Sequence, residues 1–291
     1  MAAMAHDTQL FATDTVTVRD IRCSAPRGGC GAERGDEGAH VALVRRGVFA
    51  YHPGNRRHHA DPTTALFHCA HHGYRISHPV DGGDRCTVIA CAPGLDEEVF
   101  GRDAIGGRRV EFAVDPRTHF AHLALWRELA CPAGDRMGGE ELTLELIGLL
   151  RPLPVVPVRH ASARRRLQHQ LDDARLLLGD CLDRNVGVDV VARTVGLSPF
   201  HLMRSFRAYT GQTMREYRRR LRVAAALDRL DEGCDDLTRL ALDVGFASHS
   251  HMDAAFGREL GLAPAAARER LAPSRRRAMR TFLQVPRAPS R

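Results

Sequence analysis

Hydrophobic and polar positions are patterned differently in the two halves of this 291-residue chain. Between residues 10 and 115 the apolar stretches are short, as in HVALVRRGVFAY (40–51) and RCTVIACAP (85–93), and Gly, Pro and Asp clusters separate them. This punctuation predicts several short strands joined by turns, hence a β-sandwich or barrel. Asp81-Gly82-Gly83-Asp84 reads as a hairpin turn and not as a calcium loop, because the later acidic positions of an EF-hand do not follow. Residues 118–130 (THFAHLALWRELA) and 140–150 (EELTLELIGLL) then turn helical. Leu142, Leu146 and Leu149, with Leu150 beside them, leave an apolar stripe on the second helix that suits a dimer contact.

The segment RPLPVVPV (151–158) holds three prolines, which remove amide donors and disfavour helix in the preceding residue. A linker at 151–161 is therefore expected between a first domain at 10–150 and a helical domain at 162–271. The remaining 272–291 has six arginines, three prolines and no acid, and is expected to be a basic disordered tail.

The helical part contains an internal repeat. One copy runs Val188-x2-Val191-Ala192-x2-Val195-Gly196-Leu197-Ser198, then Leu202, Phe206 and Gly211. The other runs Leu237-x2-Leu240-Ala241-x2-Val244-Gly245-Phe246, then Ser248, Met252, Phe256 and Gly261, with Ala247 as the one extra residue. Each copy predicts two helices and a tight turn. Gly196 and Gly245 stand where the first helix must end, because glycine takes the left-handed conformation cheaply. Ser198 caps the next helix and Pro199 occupies its first position, where no amide is needed. Leu202, Phe206 and Tyr209 share one face, so Phe200, Met203, Arg204 and Arg207 point outward. That is helix-turn-helix geometry, whose second helix lies in the DNA major groove. Between the copies, Thr213 and Glu216 form a capping box and Met214, Tyr217, Leu221 and Ala224 a buried stripe. The arginines between 218 and 222 read as a solvated face with one or two phosphate contacts. One helix from 213 to 230 would span roughly 27 Å, comparable with the ~34 Å of one DNA turn.

Charge supports a polyanion partner for this half only. Up to Val158 there are 17 arginines against 20 acids; beyond it there are 25 against 15, and the chain has no lysine. Lysine's absence removes the Walker phosphate lysine and Schiff-base chemistry, and G-x-S-x-G, H-E-x-x-H, C-x-x-C and G-x-G-x-x-G are also absent. The first residues carry no secretory signal pattern and no apolar run approaches the ~18 residues of a membrane helix. Eight scattered cysteines fit reduced cytosolic thiols, so a cytoplasmic protein with no membrane partner is expected.

Residues 162–271 resemble the DNA-binding domain of the AraC/XylS transcription-factor family. The resemblance is carried by GLSPFHLMRSFRAYTG (196–211), Arg222 with Ala226, and LALDVGFAS (240–248) followed by Phe256, Gly261 and Pro264. It implies base-edge contacts from the start of each recognition helix: Phe200, Met203 and Arg204, then His249, Ser250 and His251. Arg204 suits a bidentate pair with guanine and Phe200 suits a thymine methyl; Arg207 adds charge on the same face. Ala254 and Gly257 stand where the family often has polar or basic side chains, and Ala267 replaces the usual aromatic, which implies a less stringent second module. More weakly, VRRGVFAY, ADPTTALF and ISHPVDGGDRCTV resemble the family's sensor halves, implying a cupin-like β-barrel that binds an effector and carries a dimerising helix.

The expected architecture is thus α+β and multidomain: a cupin-like β-barrel with following helices, then an all-α domain of two helix-turn-helix units joined by a long helix. The expected function is sequence-specific transcriptional regulation, with double-stranded promoter DNA as partner, RNA polymerase if it activates, an unidentified small-molecule effector and a homodimer. No enzyme chemistry and no cofactor are expected. Seven histidines lie between His52 and His78, near Cys69, Cys86 and Cys91. His58, His59, Asp61, His68, Cys69, His71, His72 and His78 are candidate ligands for a borderline metal, yet Cys23-x6-Cys30 and Cys86-x4-Cys91 match no standard zinc spacing, so surface histidines and buried thiols are expected, with a metal or redox sensor as the alternative. The rival class is a DNA-repair or thiol/metal-dependent protein using the same DNA-binding module. It needs a nucleophilic thiol in an electropositive site, usually with a four-cysteine zinc, and the spacing supplies neither.

Overall fold

The computed structural model describes residues 5–28, 31, 35, 38–70, 72–105, 110–131, 136–154 and 161–271. Cys30, His71, positions 155–160 of the expected linker and the 272–291 tail lie outside them. The strands are β1 (Ala5–Ala12), β2 (Val16–Cys23), β3 (His40–Gly47), β4 (Phe49–Pro53), β5 (His58–Ala60), β6 (Thr64–His68), β7 (Tyr74–Ser77), β8 (Asp84–Cys91), β9 (Glu111–Ala113) and β10 (Arg151–Pro152). Short helices α1 (Leu95–Phe100) and α2 (Arg102–Ile105) precede α3 (Pro116–Leu129) and α4 (Arg136–Gly148). The second half is helical: α5 (Ala161–Asp180), α6 (Val188–Val195), α7 (Pro199–Thr210), α8 (Met214–Asp231), α9 (Leu237–Asp243), α10 (His249–Leu260) and α11 (Pro264–Leu271).

The strands form an antiparallel sheet ordered β1-β2-β8-β3-β6-β9-β10 and a smaller one ordered β5-β4-β7. Period-two alternation gives the large sheet two apolar faces. On β3, Val41 and Leu43 join the core under α1, α3 and α4, while Val44 joins Phe49, Tyr51 and Tyr74 between the two sheets.

Three sequence expectations change here. Asp81–Asp84 is a turn but not a hairpin, since β7 pairs with β4 whereas β8 pairs with β2 and β3. The start of the expected linker belongs to the large sheet: β10 pairs with β9, and Pro152 is tolerated because that strand is an edge. The apolar stripe of α4 is already used, with Leu142, Leu146 and Leu150 buried against the chain's own sheet, so it is not a free dimer face.

Helix α3 is buried nearly all round, as a helix with apolar residues on every face must be. Ala121 and Leu125 pack on the sheet, whereas Phe120 and Leu123 enter the core formed by α8, α9, α10 and α11. His119 and His122 are buried on the same helix without hydrogen-bond partners among the described residues. Burial, with Arg45 nearby, pushes the His119 imidazole down to about 4 and His122 well below its ordinary range.

The halves also meet through Arg175 of α5, only 2% exposed. Its Nη2 donates to Asp61 Oδ2 at 2.9 Å, Thr64 Oγ1 at 2.8 Å and the His59 carbonyl at 3.1 Å. Its Nη1 donates to Asp172 Oδ1 at 3.2 Å and its Nε to the Tyr217 hydroxyl at 3.3 Å. Tyr217 in turn donates to Asp61 at 2.6 Å, and the hydroxyl of Tyr209 on α7 lies 3.0 Å from both Glu111 of β9 and Asp172, its single proton shared between them. A buried guanidinium requires such saturation, because each donor left unmade carries its full desolvation cost.

Helix α8 is shared by two cores. Met214, Tyr217 and Leu221 pack with α5, α6 and α7, and Val223, Ala226, Leu227 and Leu230 pack with α9, α10 and α11. At their junction Arg222 donates to the Leu182 carbonyl through Nε at 2.9 Å and Nη2 at 2.6 Å. Gly245, with φ of +90°, lies so close that an added Cβ would stand 1.9 Å from that carbonyl oxygen. Gly196, its counterpart, has φ of +69° but nothing nearer than a Gln170 side-chain nitrogen at 3.6 Å.

Three outcomes are expected. Arg175→Ala should lower unfolding free energy by about 3–5 kcal/mol in urea titrations, since it strands buried carboxylates; Arg175→Lys should restore only part of it. Gly196→Ala should cost about 1–2 kcal/mol, the left-handed backbone penalty, and Gly245→Ala distinctly more, by the same measurement. The folded His119 value lies below the unfolded one, so its protonation opposes folding as pH falls below about 6.5, down to about 4. Across that window His119→Gln should gain on the parent by about 3 kcal/mol in paired denaturation curves.

Candidate nucleic-acid interface

The two copies of the repeat fold alike. In the first, the Leu197 amide reaches back to the Ala192 carbonyl at 3.0 Å across left-handed Gly196; in the second, Phe246 reaches Ala241 at 2.8 Å across Gly245. Such a bond spanning five residues closes the helix end and fixes the turn. The next helix is then capped by serine: Ser198 Oγ accepts from the His201 amide at 3.3 Å and Ser248 Oγ from His251 at 3.1 Å. Both following helices, α7 and α10, run 12 residues and stop at left-handed glycines, Gly211 and Gly261. Thr213 and Glu216 form the expected capping box at the start of α8.

On α7, Leu202, Phe206 and Tyr209 are buried, and Phe200, Met203, Arg204 and Arg207 form an exposed stripe at helical spacing. Phe200 is 71% exposed and Met203 47%. Among the described residues neither Arg204 nor Arg207 has a hydrogen bond or ion pair. The Phe200 ring and the Met203 side chain thus stand in water beside two guanidinium groups that have no partner among the described residues.

Superposing the capping serines makes Ser250, Asp253, Ala254 and Gly257 the equivalent stripe on α10. Ser250 and His251 are exposed, and His249 is half-buried. His249 Nε2 faces Asp253 Oδ1 at 3.4 Å, and the His251 ring lies edge-on to Phe246 with Nδ1 3.5 Å from the Ala247 amide. The residues proposed from sequence on α10 therefore gather at its first turn, whereas those on α7 run along two turns.

The arginines between 218 and 222 do not form a solvated face. Arg219 and Arg220 both bind Glu259 of α10, Arg218 binds Asn185 and the Val186 carbonyl, and Arg222 holds Leu182. These contacts tie each helix pair to α8, so their role is to orient the pairs. Glu259 gave no signal in sequence, because its partners lie some forty residues away on another element.

A cavity of about 540 Å³ opens between the large sheet, α3 and α8, with Arg45, Trp126, Arg127, Asp228 and Asp231 in its lining. Arg127 pairs with Asp231 across it, and Arg45 stacks over the Trp126 ring. Burial pushes the Asp228 carboxyl up to about 6.

The family described as "Helix-turn-helix domain" matches residues 191–270. The regulatory protein SoxS of Escherichia coli is 30% identical over 107 residues, covering 36% of this chain and 100% of SoxS. The probable transcription factor PqrA of Proteus vulgaris is 34% identical over 90 residues, covering 30% of this chain and 74% of PqrA. Among solved structures, the DNA-binding domain of AdpA in complex with a target DNA is 26% identical, covering 34% of this chain and 90% of that one, with a TM-score of 0.33. Matched over the full length of one such relative, the chain belongs to the AraC/XylS family of DNA-binding transcriptional regulators.

Proposed function

We propose that α6–α7 and α9–α10 are two helix-turn-helix units through which this regulator reads promoter DNA, with α7 and α10 as recognition helices. The observation that carries this reading is the exposed stripe of α7, where Phe200, Met203, Arg204 and Arg207 face solvent while the opposite side is packed. Arg204 pairs with a guanine edge and Phe200 meets a thymine methyl. Arg207 neutralises phosphate, a contact that positions the protein without selecting sequence. On α10, His249, Ser250 and His251 contact the groove edge from the first turn. The absence of a cation at Ser250, Asp253, Ala254 and Gly257 makes the second unit the less selective one.

In this reading residues 10–150 form a cupin-like sensor that also sets oligomeric state as a homodimer, 151–161 connect, 162–271 bind DNA, and 272–291 add basic charge. A small-molecule effector acts at the junction of the halves, where the cavity beside Arg45, Trp126 and Asp231 touches both. It acts by shifting the population of docked and released arrangements, and the protein engages RNA polymerase where it activates. The packing of Phe120 and Leu123 into the core of the second unit means that the halves are not independent.

Arg204→Ala should cost about 1–3 kcal/mol on the specific site and flatten the sequence preference at one base pair, whereas Arg207→Ala should weaken specific and random DNA alike. Quantitative footprinting with selected and scrambled duplexes distinguishes the two, and an unchanged preference in Arg204→Ala would refute the assignment.

A further inference from the structure

Cys23, His78 and Asp84 come from three separate segments and meet at one end of the large sheet. Cys23 ends β2 and is the register partner of Asp84, which opens β8. His78 follows β7 and lies on the same side. One donor atom from each, a sulfur, a ring nitrogen and a carboxylate oxygen, all lie within 4.8 Å of one another. His78 and Asp84 are 8% and 6% exposed, and His78 Nε2 stands 2.7 Å from Asp84 Oδ1. The Cys86 thiol donates to the other oxygen of Asp84 at 2.6 Å, so a second sulfur adjoins the cluster.

The backbone is shaped to bring these groups together. Gly83 has φ of +66°, and a Cβ there would sit 1.9 Å from the Cys23 carbonyl oxygen. Only glycine lets the turn press against the end of β2 and set Cys23 beside Asp84. Among the described residues no arginine pairs with Asp84; its side-chain partners are His78 and Cys86. Cys23 Sγ has no hydrogen-bond partner among the described residues. Sulfur, imidazole and carboxylate together suit a borderline-soft divalent ion. Zinc bonds of about 2.3 Å to sulfur and about 2.0–2.2 Å to nitrogen and oxygen reach donors at such separations after small side-chain shifts.

We propose that Cys23, His78 and Asp84 bind one divalent transition-metal ion of the zinc class, with its fourth position facing Cys86. Binding displaces the thiol proton of Cys23 and the proton shared by His78 and Asp84, and these leave to solvent. The ligand spacing escapes the usual cysteine patterns because the site is assembled across β2, the turn after β7 and β8. It also borders the contact between the halves: Arg85, next to Asp84, donates to Glu232, just past α8, at 3.1 Å. The metal site stands independently of the DNA-reading assignment, since it is read out by metal content and spectrum.

The test uses the full chain, stripped with a chelator and titrated with zinc against a chromophoric competitor, and separately with cobalt(II). One equivalent of zinc should bind, and cobalt should give a thiolate-to-metal charge-transfer band with the strong visible bands of tetrahedral coordination. Cys23→Ser, at a half-buried strand end, should abolish that band and weaken zinc at least about tenfold; Asp84→Asn should weaken zinc likewise. Cys181→Ser, a thiol elsewhere in the chain, should leave both unchanged. Failure of the parent to give the cobalt charge-transfer band, or full zinc affinity in a folded Cys23→Ser variant, overturns the site.

Discussion

A guanidinium buried to 2% exposure is the constraint around which the two halves are arranged. Arg175 offers five N–H donors in a rigid fork, and removing it from water is favourable only if nearly all are matched. Its own half supplies Asp172 and Tyr217; the other half supplies Asp61, Thr64 and the His59 carbonyl. Neither half can satisfy it alone. The position of the first helix pair on the sheet domain is thereby specified by directional bonds as well as by apolar area, and Tyr209 extends the specification into α7 itself.

The second contact between halves is of a different kind. Phe120 and Leu123 of α3 fill the core of the second helix pair, while Ala121 and Leu125 of the same helix fill that of the sheet. One helix therefore serves two cores, as α8 does within the helical half. Sharing walls in this way couples the parts mechanically, because a shift of α3 disturbs both packings at once. The cavity between α3, the sheet and α8 lies where a bound molecule would perturb that coupling.

The two helix pairs share a backbone and diverge in surface. Both turns close with the same carbonyl-to-amide bond and both second helices begin on serine. On α7 the exposed stripe keeps its apolar and cationic side chains, while on α10 the equivalent stripe is small or acidic. Orientation of α10 relies instead on Glu259, held by two arginines of α8. The positive charge of Arg218, Arg219, Arg220 and Arg222 on α8 is taken up by partners inside the protein, whereas Arg204 and Arg207 on α7 stay exposed.

The helical half was legible from sequence because its signals are local. A glycine that must be left-handed, a serine that caps and a stripe at i, i+4 and i+7 act within one or two turns, so Gly196, Ser198, Leu202 and Phe206 declare their roles through spacing alone. Strand existence was legible for the same reason, from short apolar runs between turn residues. Tertiary structure alone decided which strands pair, so the turn at Asp81–Asp84 crosses between sheets. It decided that the α4 leucines face inward and that the arginines between 218 and 222 are spent on Glu259, Asn185 and Leu182. It also decided that Cys23, His78 and Asp84 are neighbours. Pairing, docking and ligand clustering depend on contacts between residues tens of positions apart, and such contacts leave no period in a linear pattern.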